Sequence, residues 1–80
     1  MAVKSYVVNA LWDAEAGVWV ATSDDVPGLV AEAATFEELD REVRALVPEL
    51  LRMNGVISDD PESVPMELVA RKSERVPVAR

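Results

Sequence analysis

Residues 18–39 read VWVATSDDVPGLVAEAATFEEL, and they are the most informative part of the chain about its fold. It begins with β-branched and aromatic residues, turns at a Pro-Gly pair, returns through an alternating segment and ends on a helix start. Pro27 presets the backbone of a turn and Gly28 tolerates a positive φ, so the segments on either side are predicted to be strands. The stretch therefore predicts two strands, at about 18–23 and 29–33, followed by a helix.

A further strand is predicted before this stretch. Residues 4–12 have the same β-rich composition, and the five-residue loop DAEAG separates them from Val18, which indicates a hairpin. If Trp12 pairs with Val18, the face expected in the core carries Tyr6, Val8, Ala10, Trp12, Val18, Val20 and Thr22. The opposite face then carries Trp19, and it is the costlier one to bury because it includes Asn9 and Ser23.

The helix that follows has clear start and stop signals. Thr35 and Glu38 form a capping-box pattern, and Asn54-Gly55 is a stop signal, which predicts a helix of about 18 residues. Its apolar positions recur at helical spacing: Phe36, Leu39, Val43, Leu46, Val47, Leu50 and Leu51. Pro48 removes one amide from this helix, so a kink with continuation is expected there.

The whole chain is predicted to be one α+β domain of order β-β-β-α-β, with an antiparallel sheet and one long helix packed on one face. The ordered core is expected at about residues 3–55, with a fourth strand at about 66–71 and a basic tail at 71–80. An 80-residue domain buries only roughly 60–65 % of its unfolded surface, so a homo-oligomer, dimer or tetramer, is expected. Leu11, Trp19 and Val30 are the predicted interface, on a face that a single helix would leave uncovered.

The charge excludes several function classes. The net charge is −7, and residues 13–62 hold thirteen acidic residues against three arginines, which disfavours nucleic acid and favours a basic partner. The last ten residues have a net charge of +3. This basic segment is interpreted either as a solvated tail or as a short contact to nucleic acid or to a partner. The chain has no Cys and no His, so an enzyme would depend on carboxylates alone; we expect no enzyme and no cofactor.

Two adjacent aspartates raise the question of a metal site. Asp24 and Asp25, with Asp13 or Glu32, could in principle hold a divalent ion. Neighbouring strand residues point to opposite faces, so a solvated turn or a partner contact is favoured over a metal site. No signal-peptide pattern and no apolar run of about 18 residues is present, which predicts a cytoplasmic protein without a membrane span.

Three motifs together resemble a known family. They are Gly17-Val18-Trp19-Val20-Ala21, the turn Asp25-Val26-Pro27-Gly28 and the helix start Thr35-Phe36-Glu37-Glu38-Leu39. This combination resembles the bacterial domain of unknown function DUF1902, a relative of the HicB antitoxins. The resemblance implies a reduced ribonuclease-H-like fold and a role in masking a small basic HicA-like ribonuclease toxin.

HicB antitoxins also carry a C-terminal DNA-binding unit, and here the chain departs from that plan. The 25 residues after Gly55 are too few, and too broken by Pro61, Pro65 and Pro77, to form one, so DNA binding is not expected.

Two functions from different classes follow from these observations. One is a non-catalytic antitoxin-type protein that binds a basic ribonuclease. Its predicted contacts are Trp19, Asp24, Asp25, Val26, Pro27, Glu37 and Asp40. The alternative is a stand-alone dimeric domain with a structural or small-ligand role and no toxin partner.

Overall fold

The chain folds into four strands and one helix in the predicted order. The computed structural model describes residues 5–57 and 62–79, so residues 3 and 4 of the predicted core and Arg80 of the predicted tail lie outside the described residues. The elements are β1 (Tyr6–Asp13), β2 (Val18–Thr22), β3 (Val30–Ala33), α1 (Phe36–Met53) and β4 (Met66–Arg71). The α+β class and the β-β-β-α-β order are confirmed.

The sheet is mixed, so the prediction of a purely antiparallel sheet is wrong. The strand order is β3-β2-β1-β4; β2 is antiparallel to both β1 and β3, whereas β4 is parallel to β1. The direction of β4 follows from α1, whose 18 residues span about 27 Å and return the chain to the end of the sheet where β1 begins. A strand that starts at that end and lies beside β1 must run parallel to it.

The hairpin register differs by one residue from the predicted one. Trp12 pairs with Trp19 and Asp13 with Val18, whereas the sequence suggested Trp12 with Val18. Asp13 belongs to the strand because its Oδ1 accepts the amides of Glu15 and Ala16 at 3.1 and 3.3 Å, which closes a shorter turn. A shift of one residue exchanges the two faces of β2, so Trp19 and Ala21 face the helix and Val18, Val20 and Thr22 face away.

The core lies between α1 and one face of the sheet. Helix residues Leu39, Val43, Val47 and Leu51 are buried at intervals of four and form a single stripe. They pack on a sheet face that is rich in alanine, which lets the helix lie close; the buried residues of that face and of the turn are Val8, Ala10, Ala21, Val26, Leu29, Ala31 and Ala33. No polar side chain is buried among the described residues.

The ends of α1 are those the sequence predicts. Thr35 is the N-cap, and its Oγ1 accepts the amide of Glu38 at 3.2 Å. The helix continues through Pro48 to Met53, and Gly55 follows with φ of 69°. Asn54 secures this end because its Nδ2 donates to the carbonyl of Leu50 at 2.8 Å and to that of Pro27 at 3.3 Å.

Candidate interaction surface

The acidic turn after β2 has a structural task. The amide of Val7 donates to Asp25 Oδ2 at 2.7 Å, and Ser23 Oγ donates to the carbonyl of Val7. Ser23 Oγ also accepts the amides of Asp25 and Val26, each at 3.1 Å. The β1–β2 ladder ends at the pair Asn9 and Thr22, so these side chains replace the strand partner that Val7 would otherwise lack. Asp25 therefore holds the start of β1 in place.

The next residues of the turn divide between core and solvent. Val26 is fully buried, so the prediction that it contacts a partner is wrong. Gly28 has φ of 83° and the amide of Leu29 donates to the carbonyl of Val26 at 3.2 Å, which is a type II turn with Pro27 at its second position. This geometry directs Val26 and Leu29 into the core and leaves Asp24 and Pro27 exposed.

The acids at the start of α1 lie far from this turn. Glu37 is exposed, and Asp40 is half-buried with both carboxylate oxygens 3.3 Å from Arg44 Nε. Pro27 contacts Asn54 at the other end of the helix, and Asn54 is 17 positions after Glu37, which corresponds to about 25 Å along a helix. The predicted contact residues therefore form two separate groups, one at each end of α1.

Trp19 belongs to an aromatic row on the helix side of the sheet. Its ring lies 5.5 Å from that of Trp12 and 5.3 Å from that of Phe36, the second contact being edge-on. Lys72 Nζ extends the row, 5.0 Å from the ring centroid of Trp12. Trp19 is half-buried there, so the prediction that it shares a surface with Leu11 and Val30 is wrong. Recognising Asp13 as the cap of the loop would have given the correct register and hence this row.

Leu11 and Val30 do lie on one surface, the side of the sheet opposite α1. We call this side the open sheet face; its apolar residues are Val7, Leu11, Val18, Val20, Val30 and Val69. Leu11 is 55 % exposed and Val30 72 % exposed. Among the described residues the helix packs on the other side, so solvent reaches this one. A shallow groove runs across it between Leu11, Thr22, Val69 and Arg71.

Half of the polar residues of the open sheet face are acidic, and these acidic residues lie at its margins. Asp13, Glu32 and Glu67 alternate with the apolar residues of their strands, while Asn9, Thr22 and Arg71 complete the set. Asp13 is at the hairpin end, Glu32 on the edge strand β3 and Glu67 on the edge strand β4. An apolar centre is thus flanked by three carboxylates and one guanidinium.

Neither a cluster of metal ligands nor a membrane-spanning helix is found among the described residues. Within residues 5–57 and 62–79, no three acidic side chains gather closely enough to hold a metal ion. Asp25 instead accepts the amide of Val7, while its neighbour Asp24 is exposed. In the same part of the chain, no helix has the length and apolar character needed to cross a bilayer.

Comparisons with other proteins identify a family and a shared fold. The model of the family described as "Domain of unknown function (DUF1902)" matches residues 5–79. Among solved structures, the hypothetical protein TTHA1013 from the extremely thermophilic bacterium Thermus thermophilus is 49 % identical and superposes with a TM-score of 0.69. The match covers 94 % of this chain and 100 % of that one. A search of curated proteins finds no match.

Proposed function

The chain belongs to the DUF1902 family, and from that premise we propose that it is a non-catalytic, antitoxin-type binding protein that covers a small basic ribonuclease in the cytoplasm. The observation that carries the proposal is the open sheet face, whose exposed apolar centre is flanked by carboxylates. Exposed apolar patches with a polar rim are typical of surfaces that bind other proteins. We therefore propose the open sheet face, and not the acidic turn, as the main surface that contacts the partner.

The charge distribution selects the chemistry of the partner. Between residues 13 and 62, thirteen acidic residues stand against three arginines, so the field around the body attracts a cationic protein. Glu32 and Glu67 lie on the same side of the sheet as Leu11 and Val30, where they would meet basic side chains around an apolar contact. Attraction of this kind weakens with added salt, because the screening length is about 8–10 Å at ordinary ionic strength.

The open sheet face and the acidic residues of α1 can be tested separately. Glu37 and Asp40 lie on α1, which covers the other side of the sheet, so a partner seated on the open sheet face leaves them in solvent. Asp24 and Pro27 are the exposed residues of the acidic turn and remain secondary candidates. Variants on the sheet should therefore affect partner binding more strongly than variants on the helix.

The test uses the tagged full chain to capture proteins from lysate of its host at low and at high salt. The proposal requires that a small basic protein is captured, that it cleaves RNA when purified alone, and that the wild-type chain suppresses this cleavage. Val30→Asp places a charge among the exposed apolar residues of the open sheet face and should abolish the suppression, whereas Val56→Asp, at an exposed valine after the helix, should not. If no captured protein cleaves RNA, or if Val30→Asp suppresses cleavage as well as the wild type, the proposal is rejected.

A second candidate function is a stand-alone dimeric domain with a structural or small-ligand role. The observation that favours it is again the exposed apolar area of Leu11, Val30 and Val69. A chain of 80 residues has a small core, and a second copy would cover this area. A clean preparation that contains the bait alone, together with self-association in solution, would favour this function.

A further inference from the structure

We infer that two copies of this chain pair through β4 and the residues that follow it, each copy adding its C-terminal segment to the β4 edge of the other. The segment is residues 72–79, which we call the arm. It follows β4 directly, contains no helix, strand or turn, and is exposed along its whole length. The β4 edge and the arm are separate from the open sheet face, so the inference does not depend on a ribonuclease partner.

The molecule is elongated and the arm is exposed along its whole length, so the arm projects from the body. The radius of gyration is 15.2 Å, against about 12 Å for a compact chain of this length. The longest dimension is 59 Å and the other two are 27 and 19 Å. Two apolar side chains are carried into solvent on the arm, Val76 at 80 % and Val78 at 90 % exposure. An isolated chain gains nothing from holding these valines away from its core.

The edge that could receive the arm is the outer side of β4. The amide of Tyr6 donates to the carbonyl of Pro65 at 2.9 Å, so odd-numbered residues of β4 direct their backbone groups toward β1. The backbone N–H and C=O groups of the even-numbered residues Met66, Leu68 and Ala70 consequently point outward, away from β1. Within the described chain, β4 pairs with β1 alone, so these outward groups have no strand partner. Such an edge is a ready template for an added strand.

The side chains show that the arm continues the alternation of β4. Lys72 lies over Trp12 on the helix side, as an even-numbered residue of a continuing strand should. Glu74 is on that side too, because its Oε1 is 3.4 Å from Lys72 Nζ. Extending the same alternation puts Val76 and Val78 on the helix side, where β4 carries the half-buried Met66 and Leu68.

Proline and the apolar residues then select the register. Pro77 has no amide, so it must lie opposite an odd-numbered residue of β4, whose own backbone groups point to β1. Antiparallel pairing about a two-fold axis at Lys72 meets this condition by setting Pro77 opposite the partner's Glu67. It also sets Val76 opposite the partner's Leu68 and Val78 opposite the partner's Met66. Both valines then extend the apolar helix side of the sheet across the two copies.

Charge complementarity supports the same arrangement. The arm carries a net charge of +1, from Lys72 and Arg75 against Glu74, and Arg71 and Arg80 flank it in the sequence with two more positive charges. Residues 13–62 carry thirteen acidic residues against three arginines, so each arm is attracted to the other body. Arg75 falls diagonal to the partner's Glu67, a separation that long side chains bridge. The two Lys72 side chains meet at the axis, and Glu74 beside each of them offsets their repulsion.

The first test is the mass of the full chain by sedimentation equilibrium at tens of micromolar. The wild type should have twice the 8.7 kDa of one chain. The double variant Val76→Asp/Val78→Asp should have the mass of one chain, because it places two charges in the apolar contact without touching the core. Val30→Asp, on the open sheet face, is the matched control and should remain a dimer. A monomeric wild type, a dimeric double variant or a monomeric Val30→Asp each overturns the inference.

The second test reads the register directly, because the chain has no cysteine of its own. Directly opposed residues that share ladder hydrogen bonds have Cα atoms about 5.5 Å apart, within the range of a disulfide, so Lys72→Cys should form a disulfide dimer under mild oxidation. In the same register, two Cys residues at position 76 lie about 26 Å apart, so Val76→Cys should not. Equal crosslinking of the two variants, or none at Lys72→Cys, contradicts pairing about Lys72.

Discussion

At the scale of single residues, two adjacent aspartates have different tasks. Asp24 is exposed at the tip of the turn, whereas Asp25 accepts the amide of Val7 at 2.7 Å and so completes the hydrogen bonding of β1. Their formal charges are the same, and the residue types alone could not separate them. A reversal of both charges at once would therefore confuse lost binding with lost stability.

We expect Asp25→Ala to lower the free energy of unfolding by about 1–3 kcal/mol, because it leaves a partly buried amide without its acceptor. Asp24→Ala removes the same charge one residue earlier and should change stability by less than about 0.5 kcal/mol. Urea unfolding followed by tryptophan fluorescence measures both. Equal effects of the two substitutions would show that the loss is electrostatic and that the hydrogen bond to Val7 contributes nothing.

Trp19 shows the limit of reasoning from residue types. Alternation tells which residues of β2 share a face but leaves open which face is covered, and that choice depends on the pairing with β1. The cap that Asp13 places on the loop shifts this pairing by one residue. Trp19 then lies beside Phe36, and its role changes from a surface contact to packing.

At the scale of elements, α1 is the most predictable part of the molecule. The Thr35 cap, the stripe of Leu39, Val43, Val47 and Leu51, and the stop at Asn54 and Gly55 are local signals, and each is present as predicted. Pro48 is the discordant residue, since it removes the amide that would donate to the carbonyl of Arg44.

We expect Pro48→Ala to raise the free energy of unfolding by about 1–3 kcal/mol, because proline in a helix interior costs about 3 kcal/mol relative to alanine. The gain should stay below that value, since the half-buried proline ring loses some contact. Glu49→Ala, at the next and exposed position, is the control and should change stability by less than about 0.5 kcal/mol. Chemical denaturation gives both values. A loss of stability in Pro48→Ala would mean that the core packing depends on a bend at Pro48.

At the scale of the whole molecule, the distribution of charge governs stability as well as binding. The net charge is −7 on 80 residues. Folding brings these like charges closer together, so their mutual repulsion destabilises the folded state. Among the described residues, the ion pairs of Asp40 with Arg44 and of Glu74 with Lys72 are partly exposed to solvent and offset little of this repulsion.

We therefore expect the melting temperature to rise as NaCl increases from about 10 mM to 150 mM, since the Debye length falls from about 30 Å to about 8 Å. The variant Glu42→Lys/Glu49→Lys changes two exposed helix acids to bases and should show a weaker dependence on salt. Differential scanning calorimetry of both proteins measures this. A melting temperature that is independent of salt, or equal slopes for wild type and variant, would show that self-repulsion is unimportant.

The amino-acid sequence was enough to predict the element order, the ends of the helix, its buried stripe and the acidic character of the body. These properties depend on local signals within a few residues, namely the Thr35 cap, the Pro27-Gly28 turn and periodic apolar positions, or on composition. Four features became known only from the packed fold: the direction of β4, the face on which Trp19 lies, the binding of Val7 by Asp25 and the burial of Val26. Each of these depends on which distant residues meet, and hydrophobic alternation is compatible with more than one such pairing until the loop, the turn and the helix are packed together.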